Sequence, residues 1–221
     1  MGKILQSCRH YNASAAGLAI PIQHFLFENK LTTPPRISDN ARGKGKLKVR
    51  TIIIESCNPS WPGEFQKFRD WLWPRVRDVA LDTVHVGSTS VPGLAAKPIL
   101  DCVLVVESAG ALPRLVERLR GLGYEHDGDG GVPTRERFKG GPRDGFMTYY
   151  LYACPKDSPE LKRQILFRDF LRGHDVARDE YAALKQSLAE KHRHDIDVYT
   201  DGKHGFIMGI LERAAKEGGA M

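Results

Sequence analysis

The sequence predicts an α+β fold of the α/β type, in which strands alternate with helices around one core. Three observations carry that prediction. Apolar, β-branched runs at 51–54, 83–86, 99–106 and 146–153 read as strands, and amphipathic stretches between and after them read as helices. A chain of 221 residues, 41% hydrophobic and 27% charged, has enough apolar material to bury one substantial core.

The first run, 51–54, is a short apolar strand. Asn58-Pro59-Ser60-Trp61-Pro62 then punctuates the chain and opens a helix, with Ser60 as N-cap and Pro62 in the first turn. Trp61, Phe65, Phe68, Leu72 and Val76 fall on one helical face, and Pro74 is expected to kink or end that helix. After the strand at 83–86 comes a break, Gly87-Ser88-Thr89-Ser90-Val91-Pro92-Gly93. The run 99–106 is continuously apolar apart from Asp101, the pattern of a strand buried on both faces. An amphipathic helix over 112–122 ends at Gly121 and Gly123. Residues 126–145 are rich in Gly and Asp and read as a loop. A strand at 146–153 follows, then helices over 161–171 and 176–191 separated by Gly173-His174, and a closing helix over 205–216.

The formal charge of +6 is unevenly distributed. Residues 1–50 hold nine Lys and Arg against two acids, a net of +7, whereas residues 51–221 carry 24 against 25, a net of −1. The basic part reads as an N-terminal extension with a Pro-, Gly- and Lys-rich linker from Thr32 onward, attached to a nearly neutral domain at 51–221. Residues 1–27 have the look of an organelle presequence, or of an upstream start. Without targeting, the expected location is the cytoplasm. Residues 42–50 offer only weak, non-specific contact with nucleic acid, since they lack interleaved aromatic residues. No apolar run approaches the roughly 20 residues that span a bilayer, so no membrane partner is expected. Four scattered cysteines without a C-x-x-C pair fit a reducing compartment and argue against a zinc or disulfide framework.

The chemistry concentrates in the stretch from His85 to Asp101. A strand ends in a Gly-Ser turn that opens into a short helix. Gly87 permits close backbone approach, and free N–H groups at a helix start attract an anion. Ser88, Thr89 and Ser90 add hydroxyls, Lys97 adds a cation, and Asp101 places a carboxylate on a buried strand, where it needs a partner such as a divalent metal. The same residues are equally consistent with a tight turn capped by hydroxyls. Arg168 and Arg172, four apart on one helix, could present a guanidinium to the turn, or pair internally with Asp169. Lys185 and Lys203 are weaker candidates, as lone lysines on charged helices are usually solvated. His192 and His194 lack partners at metal-ligand spacing, and no Ser-His-Asp, Cys-His or nucleophile-elbow grouping is present.

This stretch resembles the signature of the GrpB-like family, which is related to the nucleotidyltransferase superfamily. Asn58 to Pro62, Leu122-Gly123-Tyr124, Phe167 to Arg172, Tyr181 with Lys185, and Tyr199 with Lys203 and Phe206 fit further blocks of the family in order, so the resemblance covers roughly 52–215. It implies a nucleotidyltransferase-like fold, a mixed β-sheet packed with helices. It also implies a small phosphate-bearing ligand, a nucleotide or a CoA-related compound, because some members are fused to dephospho-CoA kinase. In the superfamily a Gly-Ser turn precedes two acids spaced one apart, and a third acid comes from a later strand. Together these hold Mg2+.

Here the first acid aligns with Asp101, the second position is Val103, and the strand at 146–153 offers no acid. Two metal ions about 4 Å apart need several carboxylates. The expectation is therefore a domain that binds nucleotide or phosphate through Gly87, Ser88, Thr89, Lys97, Arg168 and Lys203. Asp101 is the residue that would serve as metal ligand and catalytic acid if the domain is instead an active, Mg2+-dependent nucleotidyltransferase. A third reading is an accessory domain linked to dephospho-CoA kinase.

Overall fold

The computed structural model describes residues 51–218; the basic extension at 1–50, with its linker and targeting readings, lies outside them. Helix α1 (Trp61–Val76) begins where expected, with the Asn58 side chain accepting from the Ser60 N–H at 2.9 Å and Pro62 in the first turn. Its stripe of Trp61, Phe68, Leu72 and Val76 is buried. Pro74 lies in the last turn, two residues before the helix ends at Val76, where few hydrogen bonds remain to be lost.

Five strands follow: β1 (Asp82–Val86), β2 (Leu100–Val106), β3 (Tyr124–His126), β4 (Glu136–Gly140) and β5 (Tyr149–Pro155). They form one sheet in the order β1-β2-β5-β4-β3, mixed as expected, with β2 parallel to β5 and the other pairs antiparallel. Strand β2 is paired on both edges and covered on both faces, which accounts for its unbroken apolar sequence. Leu100, Cys102, Leu104 and Val106 face one side with Tyr149, Leu151 and Ala153, packed against α1 and against α2 (Leu112–Gly121). Val103 and Val105 face the other side with Val86 and Cys154, beneath Leu161 of α3 (Pro159–Gly173). Each such side chain, fully buried, contributes about 1.5–3 kcal/mol.

The remaining helices, α4 (Asp175–Lys191), α5 (Ile196–Asp201) and α6 (His204–Gly218), extend the layer begun by α3. Phe170, Leu171, Ala177, Tyr181, Ile210 and Ala214 enclose a second cluster with Val91 and Leu94 of the segment joining β1 to β2. The C-terminal third of the chain is thereby fixed against that segment.

Two readings of the sequence need correction. Residues 51–54 are not a strand. The Ile52 N–H donates to the Arg193 carbonyl, its side chain packs on Ala189 and Tyr199, and the sole ladder contact nearby is a bridge between Glu55 and Ala96. Residues 126–145 are not all loop, because they hold the end of β3 and the whole of β4. Gly128, Gly130 and Gly131 adopt positive φ and turn the chain between the two strands. Strand β4 is polar because it lies near the sheet edge, where Lys139 pairs with Asp127 at 2.5 Å. Among the described residues, no helix is long and apolar enough to cross a membrane.

Candidate functional site

The end of β1 delivers the chain into Gly87, whose φ of 69° is open to glycine and strained for other residues. A single 3-10 turn, Ser88–Ser90, follows and is locked from within. The Ser90 hydroxyl donates to the Gly87 carbonyl at 2.6 Å, and the Thr89 hydroxyl donates to the Ile99 carbonyl at 3.2 Å. Since the only Thr89 hydroxyl proton is used there, the His85 Nε2–H is the donor in its 3.0 Å bond to Thr89 Oγ1. Burial, reinforced by Arg172 and Arg168, lowers His85 to about 3, so the imidazole stays neutral. His85 and Thr89 therefore brace the turn from beneath, and the Thr89 hydroxyl is turned inward.

Asp101 stands beside the turn because the β1–β2 register pairs it with Val86, the residue before Gly87. No side chain other than a hydrogen fits at Gly87 without meeting the Asp101 carboxylate. Burial raises the Asp101 acid to about 6, against the opposing pull of Lys97, Arg135 and Lys203.

Three lysines converge here from distant parts of the chain. Lys185 of α4 is 2% exposed, and its ammonium donates to Ser88 Oγ at 3.0 Å and to the Ala95 carbonyl. The Lys185 ammonium also lies over the Tyr181 ring, 4.7 Å from its centroid. Lys97 and Lys203 share another ring, Tyr199, at 5.4 and 4.4 Å from its centroid. Burial comes first in lowering all three ammonium groups. Lys203 and Lys97 then push Lys185 down to about 7, and Lys97 pushes Lys203 to about 8. Asp101 pulls the other way on Lys97 and Lys203, so one carboxylate faces more than one ammonium group.

Among the expected site residues, the fold brings together Gly87, Ser88, Lys97, Asp101 and Lys203. Arg168 is placed elsewhere. Its Nη1 donates to the His85 carbonyl at 2.9 Å, while Nε and Nη2 grip Asp169 at 2.7 and 3.0 Å. That guanidinium ties α3 to β1, the internal ion pair that the sequence allowed. Arg172 likewise donates to the Ser90 carbonyl, at 3.1 and 2.7 Å.

The surroundings of Asp101 do not fit a divalent ion. Among the described residues, no group of three or more His, Cys, Asp or Glu side chains is gathered anywhere. Glu107 pairs with Lys156, Glu136 pairs with His126 at 2.6 Å, and Glu55 contributes only its backbone to the bridge with Ala96. What faces Asp101 is cationic, and an ammonium cannot ligate a metal.

Lys185 is the residue that sequence reasoning undervalued. Its signal was periodicity: Ala177, Tyr181, Lys185 and Ala189 recur every four residues and are all buried, so the lysine occupies a core stripe.

The family profile described as GrpB protein matches residues 51–213. UPF0157 protein YqkA of Bacillus subtilis is 38% identical over 172 residues, covering 77% of this chain and 48% of YqkA. This chain thus spans about half the length of that relative. A protein named dephospho-CoA kinase from Mycolicibacterium paratuberculosis is 32% identical over 180 residues, 71% of this chain and 44% of that one. The crystal structure of the conserved protein GrpB from Enterococcus faecalis is similar with a TM-score of 0.65 at 32% identity, covering 75% of this chain and 98% of that chain.

Proposed function

This chain belongs to the GrpB family, and from that premise we propose that its domain is a binding module for a small phosphate-bearing ligand, a nucleotide by class. The observation that carries the reading is the convergence of Lys97, Lys185 and Lys203 on a Gly-Ser turn beside a single carboxylate. Phosphate oxygens seated there accept from the Lys185 and Lys203 ammonium groups and from the Ser88 hydroxyl. Gly87 leaves the backbone bare for close approach. The incoming anion relieves the repulsion among the lysines and restores their affinity for protons. Thr89 and Arg168 serve by holding the turn, and they do so without touching the ligand.

Mg2+-dependent nucleotidyl transfer is the less favoured reading, since Asp101 faces cations where that chemistry needs further carboxylates. A link to dephospho-CoA kinase, as an accessory domain, is favoured only by the relative of that name. CoA precursors carry phosphates and belong among the ligands tried. A cytoplasmic setting is part of the same reading, because Cys57, Cys102 and Cys154 are all unpaired.

The test is a thermal-shift series with ATP, UTP, dephospho-CoA and pyrophosphate, in EDTA and in Mg2+, on wild type, Lys185→Met and Asp101→Asn. The expected result is a rise in Tm that persists in EDTA and vanishes in Lys185→Met. No rise with any phosphate would overturn the reading. A rise that requires Mg2+ and disappears in Asp101→Asn would replace it with a transferase-type site.

A further inference from the structure

Across β2 from the Gly-Ser turn, on the β5 side of Asp101, lies an aromatic surface that the proposed anion site does not use. The parallel register of β2 and β5 sets Tyr150 directly beside Asp101, and Tyr152 beside Val103. Alternation along β5 sends Tyr149, Leu151 and Ala153 into the core and leaves Tyr150 and Tyr152 on the face that carries Asp101. Farther along this face, Val103 and Val105 are covered by Leu161 of α3, but Tyr150 keeps 40% of its surface exposed. The Tyr150 and Tyr152 rings lie 6.4 Å apart and tilted by 56°. The Arg135 guanidinium sits over Tyr152 at 4.4 Å, with a buried Nε that has no hydrogen-bond partner.

We infer that Tyr150, with Tyr152 and Arg135 beside it, is a subsite for the aromatic ring of the ligand. The ligand would then be a nucleotide whose phosphates lie on the lysines and whose base stacks on Tyr150. This inference rests on the phosphate reading of the lysine pocket and specifies what the phosphate is attached to. An exposed tyrosine on a strand offers a flat, rigid π-face to a base. Arg135 adds a planar cation able to stack or to donate. Asp101 stands between the two groups, where a carboxylate is an acceptor for the hydroxyls of a sugar. The order across β1, β2 and β5 is thus cations at the turn, acceptor, rings, which matches phosphate, sugar and base. Inorganic phosphate or a sugar phosphate would leave the rings without a partner.

Calorimetric titration in EDTA separates the parts. ATP, pyrophosphate and adenosine are titrated into wild type, Tyr150→Ala, Tyr150→Phe and Lys185→Met. Because Tyr150 is exposed, its variants are expected to fold, and circular dichroism checks that they do. Expected are tighter binding of ATP than of pyrophosphate by wild type, and about a tenfold loss of ATP affinity in Tyr150→Ala. Tyr150→Phe should bind ATP as wild type does, and pyrophosphate should bind Tyr150→Ala within twofold of wild type. ATP binding that is indifferent to Tyr150→Ala overturns the ring subsite and leaves the anion pocket standing. Adenosine binding that depends on Tyr150 while pyrophosphate fails to bind overturns the anion pocket and keeps the ring subsite. Failure of all three to bind wild type overturns both.

Discussion

The Asp101 carboxylate fills the space that a side chain at Gly87 would need: a Cβ placed on Gly87 falls 2.2 Å from Asp101 Oδ2. Turn and carboxylate therefore form one unit, and each fixes where the other can be. Gly87→Ala combines a positive-φ penalty with a direct clash. A loss of about 2–4 kcal/mol in urea unfolding is expected, the left-handed conformation alone costing about 1–2 kcal/mol. Because the added methyl occupies the face of the turn that Gly87 leaves bare, Gly87→Ala should also weaken pyrophosphate binding at temperatures where the variant is folded.

The lysines give stability and binding opposite slopes against pH. Lys185 and Lys203 fall from the ordinary 10.5 to about 7 and about 8 on folding. Above pH 7 the unfolded chain then holds more protons than the folded one, so stability rises with pH. Between pH 7 and 9, below the range in which tyrosines titrate, the urea midpoint of the ligand-free protein should increase. Pyrophosphate affinity should fall over the same interval as the ammonium groups are lost. In Lys185→Met both slopes become shallower.

On the acid side two buried groups oppose one another. Asp101 rises from 3.8 to about 6, which makes stability decline as pH climbs through that window. His85 falls from 6.5 to about 3, which makes stability increase with pH across its own window. Where the windows overlap, the wild-type profile should be nearly flat. Asp101→Asn leaves the His85 contribution alone, so its midpoint should rise visibly between pH 4 and 6. A flat profile in both proteins would contradict the assignment.

Arg168 separates structural support from ligand contact. Arg168→Ala strands the buried His85 carbonyl and frees Asp169. The expected cost is about 2 kcal/mol, the scale of a buried acceptor left unpaired plus lost packing. Calorimetry on the folded fraction should show pyrophosphate affinity within twofold of wild type. An affinity loss of tenfold or more would put the guanidinium on the ligand after all.

What could be read from the sequence follows from how each feature signals itself. Strand β2 was legible because it is buried on both faces, which leaves an unbroken β-branched run interrupted only by Asp101. Strand β4 was hidden because a strand near an edge needs little apolar sequence, and its Arg, Lys and Glu side chains resemble those of a loop. The stretch 51–54 misled for the opposite reason: two buried contacts on helices require the same isoleucines that a strand would. Within the site, the Gly-Ser turn and Asp101 are local in sequence and could be found. Lys185 lies 97 residues from Ser88, and only the packing of α4 brings them together. Tyr150 was unreadable because its meaning depends on a register between strands far apart in sequence.

That long reach between Ser88 and Lys185 has a consequence for the lifetime of the protein. Lys97 on the β1–β2 segment repels Lys185 and Lys203 of the C-terminal part across the seam between them. On the proposed reading, a bound anion turns the seam into a clasp that joins the β1–β2 segment to the last third of the chain. Proteolysis at the C-terminal helices should then slow as ligand accumulates, and the amount of intact protein would follow the supply of the molecule it holds.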